Sequence, residues 1–358
     1  MSILVDSFGR RIDYLRVSVT DRCNFRCIYC MPEQGFPATP KDEHLTADEF
    51  GKLIEVAASL GMTKLRITGG EPLLRKDLPA IIERATRAGF TDISLTTNGH
   101  LLAERAVALK KAGLGRVNVS LDTLHEEPFQ EIARRGSLLT VLEGIEAALG
   151  AGLEPVKINC VVLKGLNDQE APDFAEWTLR APIHVRFIEL MPMRWNLDEA
   201  LPSPFREREV GGSGLLAINQ TRGDMLSDAD MRRRYVSVDQ LKAKIEQVHG
   251  PLEPAQIKTN GPARTFRVAG AEGTIGFISQ ISNDLCTNCN RLRLTHDGFL
   301  RPCLMSDGEL DLRTPLREGA SVGALQDLFR YVVERKPERH YLHEGQKVMG
   351  RGMSQIGG

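Results

Sequence analysis

From Leu15 onward, short runs with apolar residues at alternate positions are interleaved with longer stretches in which apolar residues recur every three or four positions. The first pattern predicts strands and the second amphipathic helices. Strands are expected at Leu15–Thr20, Lys64–Thr68, Asp92–Thr97, Arg116–Leu121, Val156–Leu163 and Ile183–Leu190. Helices are expected at Ala47–Leu60, Asp77–Ala88, Leu101–Lys111, Leu138–Leu149 and Asp168–Leu179. In the first helix Phe50, Leu53, Ile54 and Ala57 share one face, and Thr46 is placed to cap its N-terminus. Strands alternating with helices build a parallel sheet whose right-handed crossovers curl it toward a barrel. The expected fold is therefore α/β, a partial, six-unit parallel β/α barrel with its site at the C-terminal ends of the strands.

Beyond Met191 the period fails. A stretch with Leu201-Pro202-Ser203-Pro204, Gly211-Gly212-Ser213-Gly214 and a charged run near Asp228 reads as a long exposed connection. Val238–Val248 then reads as a short helix, and Arg264–Val268 and Thr274–Ile278 as strands of a small sheet. This predicts a barrel at 1–193, a connection at 194–235, and a smaller C-terminal α+β domain at 236–358 folding over the barrel mouth.

A net charge of −1 leaves no global basic field for nucleic acid or a membrane surface, so any phosphate must be met by a local cluster of cations. No run approaches the roughly twenty apolar residues of a membrane span, and the first residues lack the pattern of a signal peptide. Seven cysteines, six of them in two triads, argue for metal rather than disulfides and for a reducing cytoplasm.

The first triad is Cys23, Cys27 and Cys30, in the loop after the first strand. Three thiolates can hold three corners of a four-iron cluster and leave one iron open. A structural zinc knuckle is the poorer fit, because such sites close with four ligands and no histidine is near in sequence. The second triad is Cys286, Cys289 and Cys303. Its spacing admits two readings, a second cluster with an open iron or zinc with His296 as fourth ligand. Arg291 and Arg293 alternate, so in a strand both face one way, and arginine forks grip phosphate. They favour a nucleotide held between two metal sites.

Cys23-x-x-x-Cys27-x-x-Cys30, with Tyr29 before the last cysteine, resembles the signature of the radical S-adenosylmethionine enzymes. The second triad, the segment Arg11–Arg16 and the ending Met353–Gly358 are similar to the branch of that family that cyclises GTP for molybdenum cofactor biosynthesis. The likeness runs from about Ile12 to Ile188 and from about Thr265 to the end; the connection looks longer than that branch's. The resemblance implies two [4Fe-4S] clusters, on Cys23, Cys27, Cys30 and on Cys286, Cys289, Cys303. It implies S-adenosyl-L-methionine contacts by Tyr29, Gly70, Ser120 and Met191, and GTP contacts by Arg16, Arg66, Thr97, Lys157, Arg291, Leu292 and Arg293. It further implies a 5′-deoxyadenosyl radical that removes the ribose C3′ hydrogen, a flavodoxin- or ferredoxin-type reductant, and a homodimer. Two other readings stay open: a peptide-modifying radical enzyme and a zinc-stabilised binding protein. Cys160, alone in a strand, reads as a small buried hydrophobe. Asp122 reads as a cap, and His340 and His343 as solvated.

Overall fold

The computed structural model describes residues 3–37, 39–191, 225–257, 261–279, 286–340 and 351–357. Six strands come first: β1 (Tyr14–Ser18), β2 (Lys64–Thr68), β3 (Asp92–Thr97), β4 (Arg116–Ser120), β5 (Val156–Val162) and β6 (Ile183–Glu189). Helices α1 (Ala47–Ser59), α2 (Leu78–Arg87), α3 (Leu102–Ala112), α4 (Glu126–Ala133), α5 (Leu138–Gly150) and α6 (Ala171–Arg180) connect them. Thr46 caps α1 through a reciprocal pair, accepting from the Glu49 backbone while the Glu49 carboxylate accepts from its own.

The strands β1 to β6 pair in sequence order and in parallel, as the alternation predicts. Leu15, Val17, Leu65, Ile67, Leu95, Val119, Ile158 and Phe187 pack into the core with the helices, and Cys160 joins them. The intervening positions carry Arg16, Arg66, Ser94, Asn118, Lys157 and Arg186, all buried. A sheet with one apolar face and one buried polar face is built to hold something polar on the second.

The C-terminal strands do not form a sheet of their own. They are β7 (Glu253–Pro254), β8 (Arg264–Arg267), β9 (Thr274–Ile278), β10 (Arg291–Leu294), β11 (Phe299–Arg301) and β12 (Leu310–Asp311). β10 pairs in parallel with β1, and β9 in parallel with β6. One sheet results, ordered β12-β11-β10-β1-β2-β3-β4-β5-β6-β9-β8-β7, with antiparallel strands only toward its ends. The reason is that β1 and β6 would otherwise expose unpaired backbone edges. Helices α7 (Asp228–Arg233), α8 (Val238–His249), α9 (Arg313–Arg317), α10 (Val322–Glu334) and α11 (Met353–Ile356) complete the chain. α10, absent from the predicted elements, packs on α1 through a face of Leu325, Phe329, Val332 and Val333. The predicted exposed connection lies outside the described residues up to 224; from Ser227 it forms α7, with a capping box. Among the described residues no helix is long and apolar enough to cross a membrane.

Candidate active site

The first cysteine loop is pinned from two sides. Arg26 and Ile28 donate backbone hydrogen bonds to Ala133 (3.0 Å) and Ile132 (3.0 Å) at the end of α4, a helix the periodicity does not reveal. From the other side, Gly70 and Glu71 after β2 donate to Thr20 and Arg22, each at 2.7 Å. The chains approach so closely that a Cβ on residue 70 would lie 2.1 Å from the Arg22 carbonyl oxygen, so only glycine fits. One cavity is lined by Cys23, Cys27, Cys30, Tyr29, Gly70, Thr97, Ser120 and Met191. All four residues expected at S-adenosylmethionine thus share a cavity with the first triad. Ser354 of the C-terminal tail lines it too.

Burial pushes the Cys23 thiol up to about 11, with Glu71 adding to the effect. Burial, then the neighbouring Cys23 and Asp122, push Cys30 up to about 12, and Cys27 is raised by burial and Asp122. Three crowded thiols that resist ionisation become thiolates only with a cation among them, which is the donor chemistry of an iron–sulfur cluster.

Two carboxylates outside the predicted site organise this cavity. Asp122, expected as a cap, accepts from the Tyr29 hydroxyl at 2.7 Å and from the Val161 backbone at 2.8 Å. Burial lifts its pKa to about 6. Glu71 accepts from Leu73 N (2.9 Å), Thr97 Oγ1 (2.8 Å) and Asn98 N (2.7 Å), and burial outweighs those bonds to lift it to about 7. Asn98 in turn donates to Asn24 at 2.8 Å, inside the cysteine loop. The Thr97 hydroxyl is therefore held by Glu71.

Beneath the cavity lies a band of cations. Along their strands Arg66, Lys157 and Arg186 each stand two residues before Thr68, Asn159 and Ile188, which line the cysteine cavity. Two residues along a strand keep the same face and span about 6.6 Å. Arg16 is the register partner of both Arg66 and Arg293. Burial, then Arg293 and Arg66, hold the Arg16 pKa well below its usual range. Lys157 is lowered to about 6 by burial and then by Arg186, Arg116 and Arg66. Lys157 and Arg186 also line a second cavity with Gln256, Gly261 and Thr265. Arg186 is not among the predicted residues. Its signal was present, since it is a cation between the apolar Val185 and Phe187, as Lys157 is between Val156 and Ile158.

At the second triad, Cys286 and Cys289 close a tight turn, with Cys289 N donating to Cys286 O at 3.0 Å. Burial raises the Cys289 thiol, but Lys336 and Arg291 outweigh it and bring it down to about 7. Arg293 feels the charges of both Cys289 and Cys303. Its guanidinium donates to the carbonyls of Ile356 (3.2 Å) and Gly357 in the tail. Leu292 is fully buried and pairs in register with Leu15 on the helix-facing side, so a contact from it to a ligand would come from its main chain. Cys303 packs with Met191 and Met353 around Leu304, Met305 and Ile356, linking the two cysteine sites through one apolar cluster. His296 points elsewhere. Its Nε2 lies 2.9 Å from Thr39 Oγ1 and 3.6 Å from Asp21, and its Nδ1 4.0 Å from Asp297. That geometry lends no support to His296 as fourth ligand of the second triad.

Comparison with known proteins adds the following. The radical SAM superfamily model matches residues 17–178, and the Molybdenum Cofactor Synthesis C model matches residues 222–342. GTP 3′,8-cyclase of Heliobacterium modesticaldum is 50% identical over 99% of this chain and 100% of its own. That of Moorella thermoacetica is 45% identical over 99% of both chains. Among solved structures, Streptococcus suis SuiB bound to S-adenosylmethionine is similar with a TM-score of 0.52 at 13% identity, covering 89% of this chain and 69% of that one. The likeness to SuiB is one of fold.

Proposed function

The chain belongs to the GTP 3′,8-cyclase family of radical S-adenosylmethionine enzymes in molybdenum cofactor synthesis, and from that premise we propose how its own residues serve the reaction. On this reading Cys23, Cys27 and Cys30 hold one [4Fe-4S] cluster, and Cys286, Cys289 and Cys303 a second. The first cluster, when bound, supplies the electron that cleaves S-adenosylmethionine to a 5′-deoxyadenosyl radical. Tyr29, Gly70, Ser120 and Met191 hold that cosubstrate, with Tyr29 oriented by Asp122. The 5′-deoxyadenosyl radical takes the C3′ hydrogen of GTP ribose, C3′ joins guanine C8, and the resulting radical takes up one further electron and a proton at N7, giving (8S)-3′,8-cyclo-7,8-dihydroguanosine 5′-triphosphate.

One observation supports this most: the cations Arg66, Lys157 and Arg186 lie on the same strand faces as the cysteine cavity, one inward position deeper. Burying several basic groups side by side is costly, and an anion seated among them would offset that cost. A triphosphate seated on Arg16, Arg66, Lys157 and Arg186 would leave the nucleoside beside the cosubstrate, with the strand of Arg291, Leu292 and Arg293 flanking the nucleotide next to Arg16. Positioning C3′ near C8 and excluding water are then what the protein contributes. Arg293 exchanges its tail carbonyls for substrate as GTP enters. An external reductant of the flavodoxin or ferredoxin type feeds both electrons, the one that cleaves S-adenosylmethionine and the one that reduces the cyclised radical. The chain acts as a homodimer in the cytoplasm, with 1–193 and 236–358 as the two units of the site joined by 194–235.

The test is anaerobic reconstitution with iron and sulfide, followed by dithionite, S-adenosylmethionine and GTP. Two four-iron clusters, about eight irons per chain, with 5′-deoxyadenosine and cyclised nucleotide forming only when GTP is present, are expected. Cleavage indifferent to GTP would move the substrate assignment elsewhere. Tightly bound zinc without cleavage would overturn the reading.

A further inference from the structure

Asp21, His44 and His296 offer three ligand atoms that all lie within 4.8 Å of one another. They come from three separate segments: the start of the first cysteine loop, the approach to α1, and the turn between β10 and β11. His44 Nε2 lies 3.8 Å from Asp21 Oδ1, and His296 Nε2 lies 3.6 Å from Asp21 Oδ2. Neither separation is a hydrogen bond, which would need about 3.2 Å or less. The carboxylate is buried, and its Oδ1 has no hydrogen-bond partner. The two imidazole rings stand 4.9 Å apart, tilted by 57°. Two imidazole Nε2 atoms thus stand within 4 Å of opposite oxygens of one carboxylate without bonding to it, while Asp21 Oδ2 accepts from Thr39 N at 3.1 Å.

We propose that Asp21, His44 and His296 form a mononuclear site for a divalent transition metal of the zinc class, separate from both cysteine triads. Two ligands on a tetrahedral zinc, each about 2.0–2.1 Å from it, stand about 3.4 Å apart; the 3.6 and 3.8 Å gaps to the carboxylate are a few tenths of an ångström longer, and the whole set, within 4.8 Å, draws in by up to about 1.4 Å around an ion. Two histidines and a carboxylate with a fourth position open are a common zinc donor set. A candidate outer partner is near: Asp297, clamped by Arg351 at 2.8 and 2.9 Å, lies 4.0 Å from His296 Nδ1, which is buried and has no hydrogen bond among the described residues. A carboxylate behind the non-ligating nitrogen is the usual way a ligand histidine is oriented. Thr39 supplies what bonds the two Nε2 atoms have, through its hydroxyl (2.9 Å) and carbonyl (3.2 Å). An ion bound here would take the place of these bonds or gain the Thr39 hydroxyl as a further ligand. The ion would brace the first cysteine loop against the hairpin that bears Arg293 and leads to Cys303.

The experiment uses the cluster-loaded protein, with iron and sulfide counted before and after. Zinc(II) alone is titrated against a chromophoric chelator, and the zinc edge X-ray absorption is recorded. One zinc per chain with only nitrogen and oxygen neighbours is expected, with the iron count unchanged. His44→Gln, at a half-buried position, is expected to weaken zinc at least about tenfold while retaining iron. Zinc with sulfur neighbours would mean occupation of a cysteine triad and overturn the proposal. So would failure to retain zinc, or an affinity in His44→Gln equal to that of the unaltered chain. The absorption result on the unaltered chain stands whether or not the variant folds.

Discussion

Arg16 on β1 and Arg293 on β10 are register partners on adjacent parallel strands, although 277 positions separate them in the chain. Like charges are thus buried side by side where the start of the barrel meets the C-terminal strands. Replacing Arg16 by Met removes one of them. Loss of a charge-assisted hydrogen bond of about 1.5–3 kcal/mol corresponds to a KM for GTP raised about 10- to 100-fold. The urea midpoint should stay level or rise, since repulsion and desolvation are relieved. A large fall in midpoint with unchanged KM would make Arg16 structural.

Lys157, lowered to about 6 by burial and its cationic neighbours, is mostly neutral at pH 7.5 in the free enzyme. A triphosphate beside it favours the charged form. GTP binding at pH 7.5 should therefore take up close to one proton per site, and affinity should weaken as pH rises. Calorimetry in buffers of differing ionisation enthalpy reads the uptake directly, and Lys157→Met should abolish it. Equal uptake in both proteins would place the proton elsewhere.

Glu71 titrates at about 7 when folded, above its usual 4.5, because burial disfavours its charge. A raised carboxyl contributes stability that is present at low pH and is lost as pH climbs through the folded value. Between pH 5 and 7.5 the unaltered protein should lose roughly 2.4 kcal/mol through this group, the slope approaching about 1.4 kcal/mol per pH unit only between the two pKa values. Glu71→Gln should lack that slope, while being less stable overall because its amide faces backbone donors. Parallel urea titrations across the pH series compare the two.

The cysteine triads separate by iron count. Cys303→Ser should fall from about eight irons to about four, keep S-adenosylmethionine cleavage and lose cyclisation. Cys30→Ser should keep about four and lose both. A Cys303→Ser protein that still cyclises GTP would remove the second cluster from the substrate site.

Arg351 holds Asp297 and Glu309 with four hydrogen bonds between 2.8 and 3.0 Å, directly before the tail helix α11. Arg351→Gln strands the buried Asp297 carboxylate and the half-buried Glu309 and should cost about 3–5 kcal/mol. It should also expose Met353–Gly357 to protease at native pH. Retained protection of the tail would show that Arg293 and the apolar cluster at Met191 anchor it unaided.

The sequence by itself determined what depends on local period. Alternation and helical spacing placed six strands and five of the helices between and after them to within one to three residues, because each element must bury one face wherever it finally packs. Thr46 as cap, Cys160 as core, and the co-location of Tyr29, Gly70, Ser120 and Met191 with the first triad followed from the rule that strand ends converge. The tertiary structure alone decided how the later strands are used. Backbone donors and acceptors are the same in every residue, so nothing local says that β10 will cover the edge of β1 or β9 that of β6. The same holds for α4 pinning the cysteine loop, for Glu71 taking the Thr97 hydroxyl, and for His296 turning to Asp21. These are pairings between distant segments, set by which polar groups the closed sheet leaves facing one another. Arg186 lies between the two cases: its strand position was legible, but its partners, Asn118 and Asn159, exist only once β4, β5 and β6 lie side by side.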